Sequence, residues 1–225
     1  MILDYIFPKV CLSCGKWGEY LCANCKSSAK YFDFSLCPMC DRPTKNGKTH
    51  DVCRLPLGLD GFLCFSQYAE PVSTVVHSIK YEGVFDAIRE QEKTIEERWP
   101  AYAPAFDSII AIPMTPRKKQ SRGYNQAELL ARKLAEFLRV PHDSSALIKI
   151  RDTVPQMRLS KAERVQNSAL KQSFVCIYPS RIRGKTIALV DDVATTRSTL
   201  LFACHVLKKA GAQEVWGVVY AHAYG

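Results

Sequence analysis

Cysteine spacing constrains this chain more than any other feature. Cys11-Leu-Ser-Cys14 is followed, seven residues later, by Cys22-Ala-Asn-Cys25. Four soft thiolates in two such knuckles suit a tetrahedral Zn²⁺. Cys37-Pro-Met-Cys40 forms a third knuckle, but Pro56 stands where the pair begun by Cys53 would be completed. His50 lies three residues before Cys53, so His50-Asp-Val-Cys53 can serve as the second pair of a Cys₃His site. Cys64 as the fourth ligand, or a site that has lost its metal, are the alternatives. Cys176 and Cys204 stand alone in the remainder and read as small buried hydrophobes.

The cluster predicts a zinc module over residues 1–58 and a second domain over 59–225. The opening MILDYIFPKV has neither the basic n-region nor the apolar core of a signal peptide, and no apolar run reaches bilayer length. The expectation is a cytoplasmic chain without membrane insertion. Thiols there stay reduced, which favours zinc over disulfides.

Charge divides the chain in the same way. Lys and Arg outnumber Asp and Glu by 31 to 22, a net of +9. Residues 106–225 alone carry nineteen basic and nine acidic side chains. The ribbon region is close to neutral once thiolates bind metal. Basic character therefore belongs to the C-terminal half and raises phosphate or nucleic acid as a partner. The stretch 149–185 has nine basic groups against two acids. A solvated face and a single-strand channel explain that equally well.

Beyond the cysteines the pattern alternates strand and helix. Residues 60–68 read as a strand, 71–80 and 86–99 as helices, and Ser108–Pro113 as a short buried strand. Residues 125–139 read as an amphipathic helix capped by Asn125, with Glu128 as capping-box partner. Strands at 146–150, 186–190 and 215–220 and a helix over 199–210 complete an α/β domain with a mostly parallel sheet. Residues 151–172 read as a polar, basic loop leading into a helix from about Ser160. Trp17, Trp99 and Trp216 read as core or ribbon-packing residues.

Chemistry concentrates in residues 187–200, IALVDDVATTRSTL. An apolar strand delivers Asp191 and Asp192 at its C-terminal end, and a hydroxyl-rich loop then enters a helix. Ligands of open α/β sheets bind at that edge, and loop amides at a helix N-terminus make an anion site. Carboxylates beside a phosphate cradle suit a sugar phosphate.

That block resembles the phosphoribosyl pyrophosphate (PRPP) signature of type I phosphoribosyltransferases. IPMTPRKKQSRGYNQAELLARKLA (112–135) is similar to the proline-rich loop and Arg-Gly-Phe-Asn-Gln motif of the ComF family, with Tyr124 for Phe. His77-Ser-Ile-Lys-Tyr-Glu-Gly83 and residues 151–174, with Gln156, Leu159, Arg164, Asn167 and Phe174, resemble two further blocks of that family. The knuckles resemble its double zinc ribbon. The likeness spans nearly the whole chain.

The resemblance implies a type I phosphoribosyltransferase-like domain behind a small zinc-ribbon module. It implies that Asp191 and Asp192 hold ribose hydroxyls, directly or through Mg²⁺-bound water. Ala194, Thr195, Thr196, Arg197, Ser198 and Thr199 would wrap the 5′-phosphate. Thr115, Arg117 and Lys118, with Lys80, would lie by the pyrophosphate, and 149–166 would close over the site. The implied role is PRPP binding combined with handling of single-stranded DNA in natural competence, with other competence proteins as partners. An active phosphoribosyltransferase with an unidentified nitrogen acceptor is the alternative. One residue departs from the family, which commonly has Gly at position 197. Either Arg197 keeps ordinary φ and adds a guanidinium contact to phosphate, or phosphate binding weakens.

Overall fold

The computed structural model describes residues 9–151 and 173–224. Its centre is a four-stranded sheet in which every pairing is parallel. The strands are β3 (Gly61–Gln67), β4 (Ser108–Ala111), β7 (Thr186–Ala194) and β8 (Glu214–His222), in the order β3-β8-β7-β4. Ile110 lies opposite Leu189, Leu189 opposite Gly217, and Phe62 also opposite Gly217. The central strands are almost entirely buried, as a sheet covered on both faces requires.

Helices α2 (Val72–Tyr81), α3 (Ile88–Glu97), α5 (Gln126–Leu138) and α6 (Ser198–Lys209) fall where apolar periodicity places them. The α5 face formed by Ala127, Leu130, Ala131 and Leu134 is buried in the main core. Two details depart from expectation. Residues 116–122 form a short helix, α4 (Pro116–Arg122), with Pro116 in its first turn and Gly123 at φ 82° ending it. The basic run is thus helical, not a loop. The strand expected over 146–150 exists as β5 (Leu147–Lys149), yet it pairs antiparallel with β6 (Phe174–Cys176), outside the main sheet. Asp143 accepts bonds from the Ser145 and Ala146 amides, and this turn carries the chain away from β4. The loop and helix expected over 151–172 lie, apart from Arg151, outside the described residues.

The N-terminal region comprises a short helix, α1 (Ala23–Ser28), and a two-residue-per-strand hairpin, β1 (Ser35–Leu36) with β2 (Pro43–Thr44). It is fastened to the sheet. The Phe32 amide donates to Phe65, the Gln67 amide to Lys30, and Tyr31 bridges Ser66 antiparallel. The segment between the knuckle pairs thereby covers the outer edge of β3, which would otherwise offer unpaired backbone. Cys11, Leu21 and Cys22 pack with Val75, Ile79 and Ile88 in a second apolar cluster. Trp216 is fully buried, whereas Trp17 is exposed and packs nothing in the ribbon core.

Candidate functional site

Both cysteine clusters converge. The sulfurs of Cys11, Cys14, Cys22 and Cys25 lie within 4.8 Å of one another, as do the donor atoms of Cys37, Cys40, His50 and Cys53. In the first set, burial opposes ionisation of Cys11, but the amides of Cys22, Cys14 and Ser13 bring it down to about 6. Cys25 is favoured by Ser13 yet pushed up to about 12 by burial and its neighbouring sulfurs. Four thiolates cannot share so small a space without a cation, and a divalent ion of soft affinity resolves the conflict. In the second set, His50 turns Nδ1 to the Cys40 sulfur at 3.4 Å, while Nε2 lies 3.0 Å from the Pro43 carbonyl oxygen. That outer bond fixes the ring for metal ligation through Nδ1. Cys64 lies apart, its thiol directed to the Ser66 carbonyl at 3.5 Å. Of the three alternatives for this site, the Cys₃His set is the one assembled. The donor sets fit two structural zinc ions.

A second site lies at the C-terminal ends of β4 and β7. A cleft of about 230 Å³ is lined by Lys80 from the last turn of α2, Thr115 and Lys118 from the start of α4, Asp191 and Asp192 from β7, and Thr199 from α6. Arg122, Lys149 and Tyr81 also line it. Arg117 is exposed and does not line this cleft.

Asp192 is 5% exposed and meets Lys80 Nζ at 2.7 Å. Burial works against the Lys80 ammonium, but Asp192 and then Asp191 outweigh it and raise its pKa. Asp191 is pushed up to about 8, by burial first and by Asp192 second, with Lys80 acting in opposition. Below about pH 8 the pair therefore holds Lys80 and a retained proton, and a further cation would enter by displacing that proton.

The Arg-Gly-Tyr-Asn-Gln block positions these groups from behind. The Tyr124 phenol donates to the Ile79 carbonyl, next to Lys80. Asn125 Nδ2 donates to the Ile112 carbonyl at 2.9 Å, beyond β4, so Asn125 does not cap α5 with its side chain. Glu128 pairs with Lys119 at 3.2 Å instead of closing a capping box. Gln126 Nε2 donates to Gln91 Oε1 at 3.2 Å and ties α5 to α3.

The hydroxyl-rich segment is shorter than its sequence suggests. β7 runs on to Ala194, so Asp191 to Ala194 are strand residues. Only Thr195, Thr196 and Arg197 form the turn, and Ser198 and Thr199 open α6. Thr195 and Thr196 are exposed, with Thr196 Oγ1 3.1 Å from Ser198 Oγ. No side chain caps the α6 N-terminus. Its first amides remain suited to an anion.

Arg197 does not take the first of the two courses open to it. Its φ is 56°, left-handed like the glycine it replaces, not ordinary. Its guanidinium is not offered to a phosphate in the cleft: it grips the Asp41 carboxylate with both terminal nitrogens, Nη2 at 2.6 Å from Oδ2. Asp41 immediately follows the knuckle cysteine Cys40. His222, fully buried at the end of β8, joins them, with Nε2 2.9 Å from Asp41 and Nδ1 2.6 Å from the Ala194 carbonyl oxygen. The sequence gives no periodic or motif signal for Asp41 or His222.

The family model agrees with the paired knuckles at the N-terminus. The family described as "Double zinc ribbon domain" matches residues 2–54. Competence protein F of Haemophilus influenzae is 29% identical over 217 residues, covering 89% of this chain and 90% of that protein. DNA utilization protein YhgH of Escherichia coli strain K12 is 30% identical, covering 91% of each. Competence protein ComFC of Bacillus subtilis is 26% identical, covering 86% of this chain and 80% of its own. Among solved structures, adenine phosphoribosyltransferase of Leishmania tarentolae aligns at a TM-score of 0.40 and 17% identity, over 66% of this chain and 60% of that one. The corresponding enzyme from Trypanosoma brucei aligns at 0.41 and 14%, over 88% and 77%. With the paired knuckles assembled ahead of a parallel-sheet α/β domain, and with YhgH matched over 91% of both chains, this chain belongs to the ComF family.

Proposed function

We propose that this protein binds PRPP with Mg²⁺ at the sheet edge and handles single-stranded DNA during natural competence. The observation that carries the first half is the convergence of Asp191, Asp192, Lys80, Thr115, Lys118 and Thr199 on one cleft. The acids accept the ribose hydroxyls. The open N-terminus of α6 receives the 5′-phosphate, and Lys118 with Lys80 faces the pyrophosphate. Mg²⁺ would be held at the acid pair and would neutralise pyrophosphate charge. Lys80 and Asp192 both line the cleft, so the ammonium can turn from the carboxylate to the polyanion without leaving it.

The basic C-terminal half and the names of the relatives, competence protein F and DNA utilization protein YhgH, support the DNA role. Single strands are tracked by positive grooves largely through their phosphates. A role beside other competence proteins follows from the same family membership.

A catalytic reading has one observation in its favour. A larger cleft, of about 530 Å³, adjoins the first and shares Pro113, Met114, Asn125 and Lys149 with it. A nitrogen acceptor there would attack C1′ as the bond to pyrophosphate breaks, and Asp191 and Asp192 would offset the positive charge developing on ribose.

Calorimetry with PRPP and Mg²⁺ on wild type and on Asp191→Asn/Asp192→Asn tests the site. Heat in the wild type and none in the variant is expected; equal heats reject the assignment. Binding of oligothymidylate across a salt series tests the DNA role, with affinity falling steeply as salt rises. Pyrophosphate release on addition of nitrogenous acceptors tests turnover.

A further inference from the structure

Four residues other than glycine hold left-handed backbone among the described residues, and two of them, Asp41 at φ 60° and Arg197 at φ 56°, are bonded to each other. One ends the Cys37–Cys40 knuckle and the other ends the phosphate turn. Aspartate visits this conformation readily, but arginine adopts it mainly where its surroundings impose it. Around Arg197 they do. Its side chain is 9% exposed, both terminal nitrogens are engaged by Asp41, and Nη1 also lies 3.5 Å from the Cys37 carbonyl oxygen. The Phe62 ring lies beneath the guanidinium, 5.9 Å away, and His222 closes the circuit from Asp41 back to Ala194, the last residue before the turn. The turn is thus clamped at both ends, through Ala194 and through Arg197, by one carboxylate carried on a metal knuckle.

We infer that Asp41 and His222 are positioning residues for the phosphate turn, and that metal occupancy of the second ribbon sets the shape of that turn. The role assigned to the turn rests on the PRPP reading; the coupling itself does not. Metal at Cys37, Cys40, His50 and Cys53 holds the knuckle closed, the knuckle presents Asp41, and Asp41 holds Arg197 in left-handed backbone. Coupling of this kind is reciprocal: ligand at the turn must tighten metal in the second ribbon as much as the metal tightens ligand.

Arg197→Gly separates the elements. Glycine adopts φ 56° without strain, so the turn keeps its path while its link to Asp41 is cut. Hydrogen exchange of the Leu201 and Ala223 amides, which donate to the Arg197 and Ala194 carbonyls at the two ends of the turn, reads it without ligand. In the wild type, withdrawal of zinc by a chelator is expected to speed their exchange about tenfold, a usual size for coupled sites. Asp41→Asn, which leaves every metal ligand in place, is expected to speed it with zinc bound. In Arg197→Gly, where His222 still joins Asp41 to Ala194, the response to zinc should be smaller than in the wild type. A second measurement follows zinc release to a colorimetric chelator with and without PRPP. Slower release from one of the two sites in the wild type, and a weaker slowing in Arg197→Gly, is expected. Exchange of the Leu201 and Ala223 amides that ignores zinc in the wild type, or responds to it equally in Arg197→Gly, overturns the inference. Absence of PRPP binding with zinc-dependent exchange intact would instead overturn only the PRPP reading.

Discussion

Lys80 reaches across the mouth of the cleft to Asp192 at 2.7 Å, and this pair sets the resting charge of the site. Asp192 is almost entirely buried, so its carboxylate depends on that ammonium. Replacing Lys80 by Met keeps much of the stem and removes the charge. The expected cost is about 3 kcal/mol, typical when one member of a buried pair is lost. Lys80→Met/Asp192→Asn should recover a large part of it. Urea midpoints measure both. If the acids are built to take a cation, Mg²⁺ should raise the midpoint of Lys80→Met more than that of the wild type.

Asp191 makes stability depend on pH in an unusual direction for a carboxyl. Its folded pKa is raised to about 8, from an ordinary value of 3.8, chiefly by burial and then by Asp192. Between those values the folded protein retains a proton that the unfolded chain releases. The group's contribution is therefore full below the lower value and is lost as pH rises through about 8. Asp191→Asn does not ionise. Its stability relative to the wild type should rise steadily across that window. Midpoints of both proteins at matched pH test this, and a constant difference would refute it. PRPP binding through the ionised pair should release protons below pH about 8, seen as calorimetric heats that vary with the ionisation enthalpy of the buffer.

The second ribbon yields a metal count. Wild type should carry two zinc ions per chain, one for each assembled set. Cys64→Ala should keep both, because that thiol points to the Ser66 carbonyl and not into the cluster. His50→Ala should lose or weaken one, while His50→Cys should restore it with a fourth thiolate. Zinc measured after gel filtration decides among these. Loss of metal in Cys64→Ala would return Cys64 to the ligand set.

The sequence exposed those parts of the fold and site that rest on local periodicity or spacing. Knuckle spacing located both metal sets, including His50, because tetrahedral ligation needs two close pairs. Continuous apolar runs located β4, β7 and β8, and an amphipathic stripe located α5. Long-range partnerships left no such trace. Asn125 looks like a cap because Asn before an apolar helix usually is one, but the β4 end needs its donor more. Arg197 looks like an anion ligand for the same local reason, while its partner is 156 residues away. The segment 146–150 alternates like any strand, and nothing local says that it pairs with β6 instead of the sheet. His222 reads as an ordinary strand residue until the fold brings Asp41 to it.

The junction of ribbon and sheet should fail at a single methyl group. Gly61 opens β3, bridges Lys48 of the ribbon, and lies opposite Trp216 in β8. A Cβ there would stand 2.3 Å from the Trp216 ring. That indole is 1% exposed and is held by its own bond, Nε1 to Glu214 Oε2 at 2.8 Å, so it has little freedom to withdraw. Gly61→Ala should therefore cost about 3 kcal/mol, at the upper end of ordinary overpacking. Trp216→Leu alone should also destabilise, by leaving a cavity. Combining the two should give a smaller loss than their sum, because the smaller side chain makes room for the new methyl. Strict additivity of the urea midpoints would show that the ring is not the obstacle, and that Gly61 is required for its backbone instead.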